Sequence, residues 1–257
     1  YDTRIRTELS TPLSLKTRLF SYLLWRRTSS GGNGSAEDPA YFKRIGLGLD
    51  SIINSNWRVQ PTVSVNYDDG QDAGAALRVD YTPTDVWSFG VYGDTHATDV
   101  AMRARAAGIN ASLVGADVTW RQSEWRQAGI GYRHSLFSDD NARHVLGAGY
   151  QQNLWVKNDW RMRVFTDLSV TWNSKGNETI YFNPSQAWGL SFTHMTEQTV
   201  WKFYQRSFLH RLYAMVGHYQ QREYHGDVIC SLRYEQEYNF SDRHALVGSI
   251  GGGRNVY

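Results

Sequence analysis

The stretch 160-WRMRVFTDLSVTW-172 decides how the chain is read. Trp160, Met162, Val164, Thr166, Leu168, Val170 and Trp172 alternate with Arg161, Arg163, Phe165, Asp167, Ser169 and Thr171. Side chains of a strand point to opposite faces with period two, so one face here is apolar with a tryptophan at each end, and the other is mostly polar and charged. A half-buried strand of a soluble sheet reads the same way. Repetition decides between them: many strands of this length with aromatic ends turn their apolar faces to lipid.

The pattern does recur. Trp57, Val59, Pro61, Val63, Val65 and Tyr67 alternate with Arg58, Gln60, Thr62, Ser64 and Asn66, and Trp87, Phe89 and Val91 with Ser88, Gly90 and Tyr92. Val114, Val118 and Trp120 oppose Asp117, Thr119 and Arg121, while Val228, Cys230, Leu232 and Tyr234 oppose Ser231, Arg233, Glu235 and Glu237. Trp57 to Tyr67 is ten steps, which at roughly 3.3 Å each and a tilt of about 40° rise on the order of 25 Å, the height of an outer-membrane apolar band. Trp57, Tyr67, Trp87, Trp120, Trp160 and Trp172 are the expected aromatic girdle.

Composition narrows the alternatives. The longest apolar run, Leu19 to Trp25, is far short of about eighteen residues, so no transmembrane helix is predicted. Aromatics at 14% with 23 glycines and 5 prolines suit many strands and tight turns. The single cysteine, Cys230, excludes an internal disulfide and a cysteine-based zinc site; on the apolar face it reads as a small lipid-facing hydrophobe. A net charge of +2 gives no reason to expect nucleic acid.

Taken in order, the chain gives about fourteen strands whose connections alternate short and long. The long ones are Thr28 to Pro39, Asp68 to Asp72, Asp94 to Asn110, Ser138 to Asn141, Asn173 to Pro184 and a loop through His225 and Gly226. Between His194 and Arg206 no face can be assigned. The short connection at Pro12 is periplasmic by this pattern, which puts both ends of the chain outside the cell. Because barrel termini normally lie in the periplasm, one further strand at each end is expected, giving a closed sixteen-strand, antiparallel up-and-down all-β barrel over 1–257. Tyr1 falls inside a patterned segment with no leader before it, so a longer parent chain is expected.

Three segments carry a family resemblance: AMRARAAGINASLVGADVTWRQSEWR (Ala101 to Arg126), YFNPSQAWGLSFTH (Tyr181 to His194) and RHALVGSIGGGRNVY (Arg243 to Tyr257). Through them the chain resembles the C-terminal barrel domain of bacterial outer-membrane poly-N-acetylglucosamine export porins. The resemblance implies sixteen strands, passive export of a partly de-N-acetylated amino sugar polymer for biofilm formation, and a monomer without cofactor. It also implies a periplasmic tetratricopeptide-repeat region, outside this sequence, that would meet a periplasmic deacetylase. Cellulose exporters share this layout, and a general diffusion porin remains an alternative.

No nucleophile elbow, HExxH or phosphate loop is present, and none of the eight histidines has a serine or carboxylate beside it in a defined register. An outer-membrane hydrolase is therefore the weaker reading, and neither catalytic nor metal residues are assigned. The inward faces are more informative. Asp2, Glu8, Asp50, Asp80, Asp117, Asp167, Glu235 and Glu237 share them with Arg161, Arg163, Arg233 and further arginines, and Tyr22, Tyr92 and Tyr219 offer flat surfaces to sugar rings. Two functions stay open: the charges pair across strands and stiffen a wet wall, or the carboxylates guide cationic glucosamine units past weak, repeated contacts. The irregular segment Asp94 to Asn110, with Arg103 and Arg105, is either a constriction folded inward or an ordinary external loop.

Overall fold

The structure, a computed structural model, describes residues 2–28, 41–68, 70–181, 183–222, 224–241 and 244–254. The expected loop Thr28 to Pro39 lies almost wholly outside the described residues. The strands are β1 (Asp2–Pro12), β2 (Thr17–Thr28), β3 (Tyr41–Ile52), β4 (Trp57–Tyr67), β5 (Gln71–Tyr81), β6 (Trp87–Asp94), β7 (Ala111–Arg121) and β8 (Arg126–Phe137). They continue as β9 (Ala142–Lys157), β10 (Trp160–Asn173), β11 (Gln186–Phe203), β12 (Arg206–Gln221), β13 (Tyr224–Ser241) and β14 (His244–Arg254), with one short helix, α1 (Met102–Ala106), between β6 and β7. No helix is long and apolar enough to cross a membrane.

All fourteen strands form one sheet in chain order, β1 to β14. The expected closed barrel of sixteen strands is not what the structure contains. β1 pairs with β2 and β14 with β13, β1 and β14 stand at opposite ends of the order, and β14 is exposed along its whole length. Strand count and hairpin order follow from local patterning, whereas closure needs the two outermost strands to exchange hydrogen bonds. The expectation of two more strands rested on a rule about termini and on no residue of the chain.

The alternation of short and long connections is also only partly kept. β4 leads to β5 through 68–70, and β12 to β13 through 222–223, so His225 and Gly226 lie within β13. The turns on the opposite edge are held by side chains that mimic backbone. Asn54 Oδ1 accepts from the N–H groups of Asn56 and Trp57 at 2.9 and 3.0 Å, and Thr84 Oγ1 from that of Trp87 at 3.2 Å. Between His194 and Arg206 the face assignment fails for a physical reason: a bulge at Thr199/Trp201 shifts the register, and Tyr204 turns the chain at φ 52°.

Burial is inverted relative to a soluble sheet. In β3, Ile45 and Leu47 are exposed while Phe42, Arg44, Gly46 and Gly48 are buried, and Val63, Val91, Val114, Phe192, Val216 and Leu232 are exposed likewise. An aqueous sheet with that surface would aggregate; in hydrocarbon the same face is satisfied. The aromatic ends meet across strands, with Trp57 on Tyr81 at 4.5 Å between ring centres and Trp87 on Phe89 at 6.2 Å. Apolar cores do occur, but under the loops rather than in the sheet. One joins Ala97, Val100, Ala104 and Ile109 to Ala111, Phe137 and Tyr181, and the other joins Met102 to Leu24 and Phe42.

The chain divides into two compact units. One comprises 1–118, 131–145 and 172–183, and the other 119–130, 146–171 and 184–257.

Candidate functional site on the polar face

Most charges expected on the polar face are held in pairs. Arg58 donates to both oxygens of Asp50, at 2.7 and 2.6 Å. Arg78 bridges Asp80 at 2.7 Å and Asp117 at 3.1 Å, crossing from β5 to β7. Glu8 pairs with Arg6 on its own strand at 2.8 Å, and the side chain of Asp2 lies outside the described residues.

In the second unit a single guanidinium gathers three carboxylates. Arg211 donates to Glu197 at 2.7 Å, Glu235 at 2.6 Å and Glu237 at 2.8 Å, tying β11, β12 and β13 together. Arg161 approaches Glu197 at 3.7 Å, Arg233 approaches Glu235 at 3.9 Å while stacking on Tyr213 at 4.1 Å, and Arg163 donates to Asn153 Oδ1 at 2.8 Å. Neither Arg211 nor Glu197 stands out in the sequence as a site residue. Arg211 is visible only as one more polar member of an alternating strand, and the bulge in β11 hides the face that Glu197 takes.

Asp167 differs. Among the described residues it makes no ion pair, unlike Asp50, Asp80, Asp117, Glu197, Glu235 and Glu237. It lies in a hollow of about 470 Å³ whose lining includes Ser169, Gly147, Gly189 and Tyr219. The hollow exists because the neighbouring strands carry glycines. A Cβ on Gly189 would stand 3.2 Å from the Tyr219 ring and 3.4 Å from Ser169 Oγ, and one on Gly149 would stand 3.4 Å from Asp167 Oδ1. A carboxylate, a hydroxyl and an aromatic ring thus line one recess.

The tyrosines are not equivalent. Tyr92 lies over Gly115, where a Cβ would come within 2.4 Å of its ring, and Arg78 covers it at 5.6 Å; Tyr22 lies over Gly46 beneath Arg6 at 5.1 Å. Both are packed into the wall. No arginine stacks on Tyr219 among the described residues, which leaves it as the ring in the recess.

The segment between β6 and β7 is folded onto the polar face of β2 to β4. It contains α1, where sequence periodicity is ambiguous between helix and strand. Arg105 is 1% exposed, donates to Asp68 at 2.9 Å and to the carbonyl of Ala97, and lies 3.9 Å over the ring of Phe42. His96 stands 3.3 Å from the same carboxylate and stacks on the other ring neighbour, Phe42, at 6.1 Å. Arg44 donates to Asn66, to Asp94 at 2.8 Å and to the carbonyl of His96. Burial pushes the Arg105 guanidinium down to about 10, against the opposing pull of Asp68. Burial also lowers His96 below its ordinary value, helped by the nearby charge of Arg105. Arg103, on the same helix, is exposed.

The expected girdle residues Trp57, Tyr67, Trp87, Trp160 and Trp172 are exposed on the apolar face and Trp120 is half-buried; Cys230 is exposed on that face between Val228 and Leu232.

The model of the PgaA membrane beta barrel domain matches residues 2–257. The chain belongs to that family. The resemblance seen in the sequence is therefore correct, and with the exposed apolar face it places the chain in the outer membrane. Over 169 residues, 66% of its length, the chain is 27% identical to the poly-beta-1,6-N-acetyl-D-glucosamine export proteins of Escherichia coli K12 and O157:H7. It spans only 21% of the length of those relatives. A solved structure described as a bacterial polysaccharide outer membrane secretin superposes with a TM-score of 0.88 at 22% identity, covering 100% of this chain and 84% of that one. These relatives are export proteins rather than enzymes.

Proposed function

We propose that this domain exports poly-β-1,6-N-acetyl-D-glucosamine, in partly de-N-acetylated form, along its polar face. The observation that carries the reading is the recess of Asp167, Ser169 and Tyr219. A de-N-acetylated unit brings an ammonium group to an unpaired carboxylate while its ring lies against tyrosine, and an acetylated unit keeps only the ring contact. Contacts of that kind are weak singly and repeat along a polymer, as transport requires. In this reading the arginine-paired carboxylates brace the wall, and Asp167 is the one that meets substrate. The segment carrying α1, locked onto the polar face through Arg105, narrows the path as a constriction. The names of the export-protein relatives support the polymer class, and the chemistry of the recess supports the cationic form. A repeat region elsewhere in the parent protein would hand over polymer from a periplasmic deacetylase.

The test is secretion of hexosamine polymer by cells whose full-length protein carries Asp167→Asn, alone or with Tyr219→Ala. Asp167→Asn should lower export of partly de-N-acetylated polymer several-fold and spare fully acetylated polymer from a deacetylase-deficient strain, while Tyr219→Ala lowers both. Unchanged export by the double variant at normal protein levels would refute the assignment; equal loss of both polymers in Asp167→Asn would refute the charge-based part.

A further inference from the structure

The export reading uses the polar face and leaves one polar cluster on the apolar face unexplained. His134 on β8 and His144 on β9 face each other across the hairpin, on the same side as Ile130 and Leu136, which are exposed. Their Nδ1 atoms are 3.3 Å apart and their ring centres 4.5 Å apart. Tyr132 Oη lies 2.6 Å from the same His144 Nδ1. A single imidazole nitrogen offers either one proton or one lone pair, so it cannot bond well to both neighbours at once. Hydrogen bonding alone therefore leaves this convergence poorly satisfied.

We propose that His134 and His144 form a cross-strand binding site for a divalent zinc-like cation. Two zinc–nitrogen bonds of about 2.0–2.1 Å at a tetrahedral angle hold their nitrogens about 3.3–3.4 Å apart, and the two Nδ1 atoms already stand at that spacing. The cation takes one lone pair from each ring, and the Tyr132 hydroxyl turns away from His144. Among the described residues no group of three His, Cys, Asp or Glu side chains could hold a metal, so water completes this site and it binds less tightly than a four-ligand structural centre.

Its position makes such a site reachable from water. Ser174 and Ala142 are hydrogen-bonded, Ser174 N–H donating to the Ala142 carbonyl at 2.9 Å, and stepping two residues along each antiparallel strand sets Trp172 level with His144. Tryptophan at a strand end marks the membrane interface, not the hydrocarbon centre. The site would clip β8 to β9 just below the 138–141 connection, where Phe137 joins the core that holds Ile109 and Tyr181. It would thus stiffen the wall against which the α1 segment packs, independently of what the polar face transports.

The experiment is titration of the folded, detergent-solubilised chain with Zn²⁺ by isothermal calorimetry. Circular dichroism checks each variant's fold, and His134→Asn serves as a second substitution if His134→Ala does not fold. The wild-type chain and the His218→Ala control should each bind one Zn²⁺, and His134→Ala and His144→Ala should each weaken binding at least tenfold. Tyr132→Phe, which removes the competing hydroxyl, should bind at least as tightly as wild type. Absence of binding to wild type, wild-type affinity in either histidine variant, or tenfold weaker binding by Tyr132→Phe would overturn the proposal.

Discussion

Replacing Arg105 with methionine keeps the length of the side chain and removes its charge and planar fork. Three contacts go: the charge-assisted bond to Asp68 at 2.9 Å, the bond to the carbonyl of Ala97 and the stacking over Phe42 at 3.9 Å. A charge-assisted hydrogen bond contributes about 1.5–3 kcal/mol and a desolvated cation–π contact up to about 2 kcal/mol. Against this, the variant relieves repulsion between Arg105 and Arg44, and His96 can still take a proton to partner Asp68. A net loss on the order of 3 kcal/mol follows, which at about 1.4 kcal/mol per decade raises the population of the detached segment on the order of 100-fold. Because these contacts attach the segment to the sheet and are not part of the sheet, the strands should be unaffected. Hydrogen exchange reads this directly: the amides of Ala97, Gly108 and Ile109, bonded within the segment or to Ala111, should lose protection on the order of 100-fold while β3 and β4 keep theirs. Arg105→Lys should rescue only in part, since one ammonium cannot reach Asp68 and the Ala97 carbonyl and also stack flat. A loss of protection below about fivefold in Arg105→Met would refute the argument that this guanidinium anchors the segment.

Acid should loosen the same segment. The folded-state value of His96 is lowered, so the unfolded chain binds the proton first; the contribution is complete above about pH 6.5 and is lost as pH falls through the folded-state value, and proteolysis within 95–110 should rise below pH 6.5 in wild type but not in His96→Gln. Gly115→Val places a side chain where the Tyr92 ring lies, and at about 1–3 kcal/mol for overpacking should lower the unfolding temperature of the purified domain; Gly147→Ala, with nothing within 4 Å of a new Cβ, should not. Arg211→Met strips three carboxylates of their shared partner and should cost about 3 kcal/mol, discounted from a fully buried pair because Arg211 is 20% exposed; resistance to heat in detergent should fall, and adding Glu197→Gln and Glu235→Gln should restore much of it.

What could be read from the sequence, and what could not, divides by the range of the interaction. Alternation along Trp160 to Trp172 and Trp57 to Tyr67 reports a local property, the face each side chain takes, and it placed the strands, their order and the outward apolar face. Where backbone geometry departs from period two, as at the Thr199/Trp201 bulge, the same reasoning lost Glu197. The α1 segment escaped it because a single helical turn has no period to detect; its position is set by contacts to Phe42, Leu24 and Asp68, more than thirty residues away. Openness of the sheet between β1 and β14 is likewise a matter of pairing between distant strands, which no local pattern encodes.

The charges make the same division most plainly. Sequence alone assigned Asp50, Asp80, Asp117, Asp167, Glu235 and Glu237 to one face and left open whether they guide or brace. Only the tertiary structure separates them, because pairing depends on which arginine each register brings within about 3 Å. Arg58, Arg78 and Arg211 reach five of the six, and glycines at 147, 149 and 189 open a recess around the other, Asp167.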